Sequence, residues 1–302
     1  MENIKIIQQK DQLLYSSIIF NKPINKLSLP RILVIGGSSE KLKNVSLCYE
    51  ALQNSNTTLT LALPDTLKQA VATLEAVFLH ANPIGSVLKD NTDHLLDLAS
   101  DANLLIIGVD MTLGSQAQIV VEKLLQECDK PVIVTDEVIK VFQFSPSILE
   151  RSSKLILFLN TNSLVKIANY LKIPVKIRPD RGIYNRADLI KSIAGKQGQA
   201  LAAVSRPGLR KNYFICHDSG QIICYDSKKP NEVGLVNFEG NDLSEYLGTV
   251  IGLVGSFLAD YSNEIKDFTP KVLTACFIAK EFFAKQKSSQ ETSIKKIINS
   301  YL

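Results

Sequence analysis

Apolar residues recur along the chain in short blocks, and the spacing inside each block predicts its secondary structure. Arg31–Ile35 (RILVI), Thr57–Leu63, Ala76–Leu79, Leu104–Ile107, Pro131–Val134 and Lys154–Leu159 are short, largely apolar, β-rich runs. Runs of this kind suit strands buried on both faces of a parallel sheet. Between them lie helical stretches: one after Glu40 reaching about Asn54, then Asp65–Leu74, His94–Ser100 and Gln116–Glu127. Strands alternating with helices predict a doubly wound α/β fold, with right-handed crossovers placing helices on both faces of a mostly parallel sheet.

Past residue 180 the pattern changes in kind. A helix over Asn185–Lys196 leads to a strand at Gln199–Ser205, and Asn212–Cys216 and Gln221–Tyr225 flank a His-Asp-Ser-Gly turn. Two β-type runs joined by such a turn predict an antiparallel hairpin toward the C-terminal part of the sheet. The first thirty residues are poorly patterned, with a short helix expected near Gln8–Phe20. Ile294, Ile297, Ile298 and Leu302 form one apolar stripe on the last helix, as core packing requires. No internal repeat or linker divides the chain, so residues 1–302 are expected to form a single domain.

The stretch Phe238–Asp260 is a loop followed by a helix whose Leu243, Leu247, Val250, Ile251, Val254 and Leu258 share a face. Gly248, Gly252 and Gly255 sit inside it, each costing about 1 kcal/mol relative to Ala. Two explanations stand side by side. Another backbone packs closely against the helix, or the helix start binds an anion on its unpaired N–H groups.

Composition narrows the functional classes. The chain has 302 residues, 45% apolar and 21% charged, with net charge +4. That profile is globular. Its Lys and Arg are scattered, which argues against nucleic-acid binding. No apolar run approaches the ~20 residues that span a bilayer, and from the charges spread through the first thirty residues no leader is expected. Five cysteines form no disulfide framework and no metal-ligand cluster, although Cys216 and Cys224 flank the hairpin turn and are candidates to face each other. A reduced, cytoplasmic protein is expected. His80, His94 and His217 show no partner pattern and receive no catalytic or metal role.

The landmarks from Arg31 to the C-terminus resemble those of the NAD(P)H-hydrate dehydratases of the ribokinase-like superfamily. RILVIGGSSE resembles the family's first strand and Gly-Gly-Ser loop. LLIIGVDMTLGS is similar to its IGPGLG segment, with Val109-Asp110 in place of Pro-Gly. PVIVTDEVIKVF stands where VVLDADAL is expected and keeps Asp136, with Val138 at the second Asp position. LILFLNTNSLVKIANYL resembles ILTPHPGEFARL, with Asn162 at the His position. AAVSRPGLRKNYFICHDSGQIICYD resembles the VVLKG segment and its adjoining hairpin, with Arg206 and Gly208 near the Lys-Gly pair. EYLGTVIGL falls on GTGDVLAG, where Gly248 keeps one glycine and Thr249 takes the place of the catalytic Asp.

The resemblance implies a three-layer α/β/α ribokinase-like fold and a cleft for ATP or ADP, with Mg²⁺ as companion to the phosphates. Arg206, Gly208, Gly248 and Thr249 would hold the nucleotide. Gly37, Ser38, Asp110, Asp136 and Asn162 would face a hydrated NAD(P)H, and assembly as a homo-oligomer would be usual. A threonine carries no group that titrates near neutral pH and cannot act as the base. Asp242, Glu245 and Asp260 are poorly spaced to replace it. Three readings remain: a divergent dehydratase with impaired or altered catalysis, a non-catalytic nucleotide- or partner-binding relative, and a small-molecule kinase of the same superfamily.

Overall fold

A computed structural model gives the architecture, and its described residues are 4–22, 29–71, 75–150, 155–175, 182–202, 212–218, 220–238, 242–260, 265–288 and 292–302. The strands are β1 (Lys5–Gln9), β2 (Arg31–Gly36), β3 (Thr58–Pro64), β4 (Ala76–Leu79), β5 (Leu104–Val109), β6 (Val132–Thr135), β7 (Leu155–Asn160), β8 (Tyr213–Asp218), β9 (Gln221–Asp226) and β10 (Glu232–Asn237). The helices are α1 (Ser16–Phe20), α2 (Lys43–Gln53), α3 (Thr92–Ser100), α4 (Ser115–Glu127), α5 (Val141–Phe144), α6 (Thr161–Tyr170), α7 (Gly182–Ala202), α8 (Leu247–Leu258), α9 (Phe268–Lys287) and α10 (Ile294–Asn299). Among the described residues the strands form one sheet in the order β1-β10-β9-β8-β7-β6-β5-β2-β3-β4. All neighbours pair in parallel except β8–β9 and β9–β10, so β9 alone runs against the others.

Alternation along each strand divides the core between two faces. In β2, Ile32 and Val34 pack with α2, α8 and α9, while Leu33 and Ile35 pack with α3 and α4. Both clusters are apolar throughout, as a sheet covered on both sides demands.

Several expectations are corrected. The helix expected over Gln8–Phe20 is instead strand β1, a turn and the short α1. Lys5–Gln9 pairs with β10 at the sheet edge, and the buried Gln9 amide holds the turn through the Gln12 carbonyl and the Leu14 N–H. Tertiary pairing overrides local pattern here. The strand expected at Gln199–Ser205 is helical through Ala202, and residues 203–205 lie outside the described residues. Its Gln, Leu and Ala are good helix formers. Within the helix expected over Asp65–Leu74, Asp65–Leu67 is a 3₁₀ turn followed by turns through Val71, and residues 72–74 lie outside the described residues. Strand β10 has no counterpart among the expected elements. Leu302 is exposed, whereas Ile294, Ile297 and Ile298 are buried as expected. Cys216 pairs with Ile223 and Cys224 with Ile215, so the two cysteines occupy different register positions, and none of the five cysteines forms a disulfide.

The glycines of α8 are explained by packing. Helix α8 is buried on every side from Gly248 to Leu258. A Cβ on Gly248 would overlap the Asn44 carbonyl, and one on Gly252 would lie 2.7 Å from the Cys48 carbonyl oxygen. Gly255 faces the sheet, where a Cβ would meet Ile106 at 2.7 Å. Helices α2 and α8 therefore approach backbone to backbone, side by side and in the same direction. Gly252→Ala is expected to lower stability in urea denaturation by about 1–3 kcal/mol through overpacking. On an exposed helix the same change would raise it by about 1 kcal/mol. A variant as stable as the parent would refute the close approach.

Candidate functional site

The carboxyl ends of β2, β5 and β6 carry three of the polar residues that the sequence singled out, Ser38, Asp110 and Asp136, and β8 adds His217 beside them. This is where open α/β sheets bind ligands. Chain geometry there is tight. Gly108 has φ +110° and Asp110 φ +57°, which turns the chain sharply at the end of β5 and aims the Asp110 carboxylate at α2. Asp110 Oδ2 accepts from the Asn44 N–H at 2.5 Å and the Val45 N–H at 3.1 Å, and Oδ1 accepts from Asn44 Nδ2 at 2.9 Å. Leu42 at the start of α2 offers no cap, so Asp110 supplies one from a distant strand, with its charge at the positive end of the helix. The Asn44 amide then turns to α8, where its Oδ1 accepts from the Gly248 N–H at 3.3 Å.

The Gly37-Ser38 loop is equally occupied by its own chain. Gly37, at φ +76°, donates its N–H to the Val109 carbonyl at 2.8 Å, and Ser38 donates its N–H to the Lys41 carbonyl at 2.9 Å. Ser38 Oγ accepts from the Lys41 N–H.

Asp136 follows β6. Its Oδ1 accepts from the Asn160 N–H at 2.9 Å and its Oδ2 lies 3.0 Å from His217 Nε2. Burial alone would raise this carboxyl. The hydrogen bond and charge of His217, with hydrogen bonds from Ser163 and Asn160, outweigh it and hold the group below its ordinary 3.8. Burial pushes the neighbouring Glu137 carboxyl up, although Thr135 Oγ1 donates to it at 2.9 Å. The space bounded by Asn44, Asp110, Glu137, His217, Leu247 and Ile251 is about 10 Å³, room for one water.

The other residues expected at a site lie elsewhere. Asn162 is exposed on the first turn of α6 and does not line this space. Arg206 and Gly208 lie outside the described residues. The strand before the hairpin is Tyr213–Asp218, so its carboxyl end is His217-Asp218. Thr249 is buried and lines a groove between helices. Two residues along a helix from Leu247, it is rotated about 200° away from the strand ends. Asn44 and His217 were not among the residues that the sequence marked for a site. Asn44 belongs to no motif, and the partner of His217 is 81 residues earlier.

Among the described residues, several donors at these strand ends are already engaged and the lining is acidic, which opposes a phosphate. The N–H of Gly248 at the start of α8 goes to Asn44, the Gly37 and Ser38 N–H groups are bonded within the chain, and Asp110, Asp136 and Glu137 surround what space is left. Among the described residues no group of three His, Cys, Asp or Glu side chains is placed to hold a metal ion, and no helix is long and apolar enough to cross a membrane.

Neither a protein-family model nor a curated protein matches the chain. Solved structures do, and they show a ribokinase-like fold. A ribokinase-like superfamily protein from Enterococcus faecalis V583 superposes with a TM-score of 0.65 at 13% identity, covering 100% of this chain and 95% of that one. Hydroxyethylthiazole kinase from Pyrococcus horikoshii gives 0.54 at 13% identity, covering 94% and 89%. Pyridoxal kinase from Staphylococcus aureus, solved with AMP-PCP and pyridoxal, gives 0.51 at 11% identity, covering 82% and 86%.

The Asp136–His217 contact yields a pH prediction. A carboxyl whose folded value lies below its unfolded one adds stability that is present above pH 3.8 and lost as pH falls through the folded value. Asp136→Asn is expected to cost about 1–3 kcal/mol at pH 7 and to flatten the loss of stability below pH 4. Denaturation curves from pH 2 to 7 check this; an unchanged acid limb would refute it.

Proposed function

We propose that this chain is a non-catalytic relative of the ribokinase-like enzymes, acting by binding a nucleotide-type ligand without turning it over. The observation that carries the reading is the start of α8, which has no acidic residue in its first turn and presents Leu247 and Ile251 to the strand ends. Dehydration of NAD(P)H hydrate and phosphorylation of a small alcohol both depend, by the resemblance, on an Asp at this point. Loss of a positioned base typically removes 10²–10⁴-fold of rate, roughly 3–5 kcal/mol. The fold likeness to kinases solved with ADP and AMP-PCP supports a nucleotide as the ligand to test.

A small-molecule kinase is the second reading, favoured by the pairing of His217 with Asp136 at the strand ends. An imidazole oriented by a carboxylate is a competent base.

The test is thermal unfolding with ATP, ADP and AMP beside turnover assays on hydrated NADH and on small hydroxylated acceptors. Stabilisation by RT ln(1 + [L]/Kd) without turnover is expected. Turnover abolished by His217→Asn would establish the kinase reading instead. Thr249→Asp is expected to stay inactive, because a carboxylate at that position points away from the strand ends. Restored dehydration in that variant would overturn the geometric argument.

A further inference from the structure

Helix α1 lies on α9 and buries Ile19, 1% exposed, in the core shared by α2, α8 and α9. Just after it, Lys22 turns its amine inward. Nζ donates to the Ser55 carbonyl in the turn after α2 at 2.6 Å and to Ser256 Oγ in the last turn of α8 at 3.1 Å. It also lies 4.2 Å from the centre of the Phe257 ring. One side chain thus ties the N-terminal segment to both of the helices that pack backbone to backbone.

All three partners are neutral, and the contacts of this amine include no carboxylate among the described residues. Residues Ser16–Phe20 and Asn54–Asn56 carry no titratable side chain, and the end of α8 carries none before Asp260. Helix α9 faces the amine with Lys271, a like charge, which itself pairs with Asp260 at 3.9 Å and feels Asp267. A charge taken out of water without a countercharge is costly. Burial accordingly pushes the Lys22 amine down from 10.5 to about 7, and Lys271 adds to the shift. The neutral amine keeps two N–H donors, enough for Ser55 and Ser256, and gives up only the attraction of a cation to the Phe257 ring.

We propose that Lys22 is a proton-operated latch for the N-terminal segment: α1 is held on the core most tightly when this amine is neutral, and uptake of a proton loosens it. A lysine whose docked value lies below its free one binds its proton more tightly once α1 is detached. Docking therefore weakens as pH falls from 10.5 toward about 7 and is level below that. One proton is linked, so each pH unit inside this window changes the docking constant by up to about tenfold. Detachment uncovers Ile19 and its apolar seat on the core, the surface that the latch governs.

Hydrogen exchange of the full chain at pH 7 and pH 9 tests it. The amides to follow are Ile18 and Asn21, which donate to the Tyr15 and Ser17 carbonyls, in the parent and in Lys22→Met. Comparing the two proteins at equal pH cancels the intrinsic chemistry of exchange. Protection in the parent relative to the variant is expected to rise at least about fivefold from pH 7 to pH 9. A smaller rise, or none, would overturn the latch. NMR titration of the parent labelled with ¹³C at its lysine side chains depends on no variant. One lysine signal is expected to titrate below pH 9, and a set of signals titrating wholly near the ordinary 10.5 would overturn the proposal.

Discussion

The Asp110 carboxylate is the fastening on which the rest of the molecule turns. It reaches from the end of β5 to cap α2 through two backbone N–H groups, and it orients the Asn44 amide that in turn holds the first turn of α8. Hydrogen bonds to a charged group contribute about 1.5–3 kcal/mol each, so this one side chain offsets much of the cost of three helical glycines, about 1 kcal/mol apiece. Those glycines are what let α2 and α8 meet. The left-handed backbone at Asp110 is the strain that the arrangement tolerates, at a residue type that visits that region more readily than most.

The same fastening decides the chemistry. Three backbone donors among the described residues of this region have internal partners: Gly37 has Val109, Ser38 has Lys41, and Gly248 has Asn44. Polar groups buried without partners are costly. Donors at a strand end must be satisfied by a ligand, by water or from within the chain. Here the Val109 and Lys41 carbonyls and the Asn44 side chain satisfy three of them, and Leu247 and Ile251 add apolar surface.

Much of the sheet was legible because strands buried on both faces write themselves as apolar runs, and β2, β3, β5, β6 and β7 lie where those runs fall. The edges were harder. KIIQQ in β1 has one covered neighbour, and its mixed polarity fits a helix as well as an edge strand. The glycines of α8 announced a close approach without naming what approached, since the contact is with α2, some 200 residues earlier. Asp110 and Asp136 stood out as polar residues after apolar runs, but their partners Asn44 and His217 did not. Each is an ordinary polar residue whose role exists only once distant strands lie side by side.

That asymmetry between strands and strand ends has a physical origin. Inside the sheet a residue is constrained by neighbours on both faces, and a change of one methylene is felt. At the strand ends the constraint is set by whatever occupies the space, which can be a ligand or the chain's own side chains. Asn44 satisfies the Asp110 carboxylate and the Gly248 N–H with one planar amide, offering a donor and an acceptor at opposite edges. A bound anion could accept from Gly248 but could offer Asp110 nothing except repulsion. With Asp110 committed to capping α2, an amide is therefore the more stable occupant of this position, and the link between α2 and α8 is a consequence of how α2 begins.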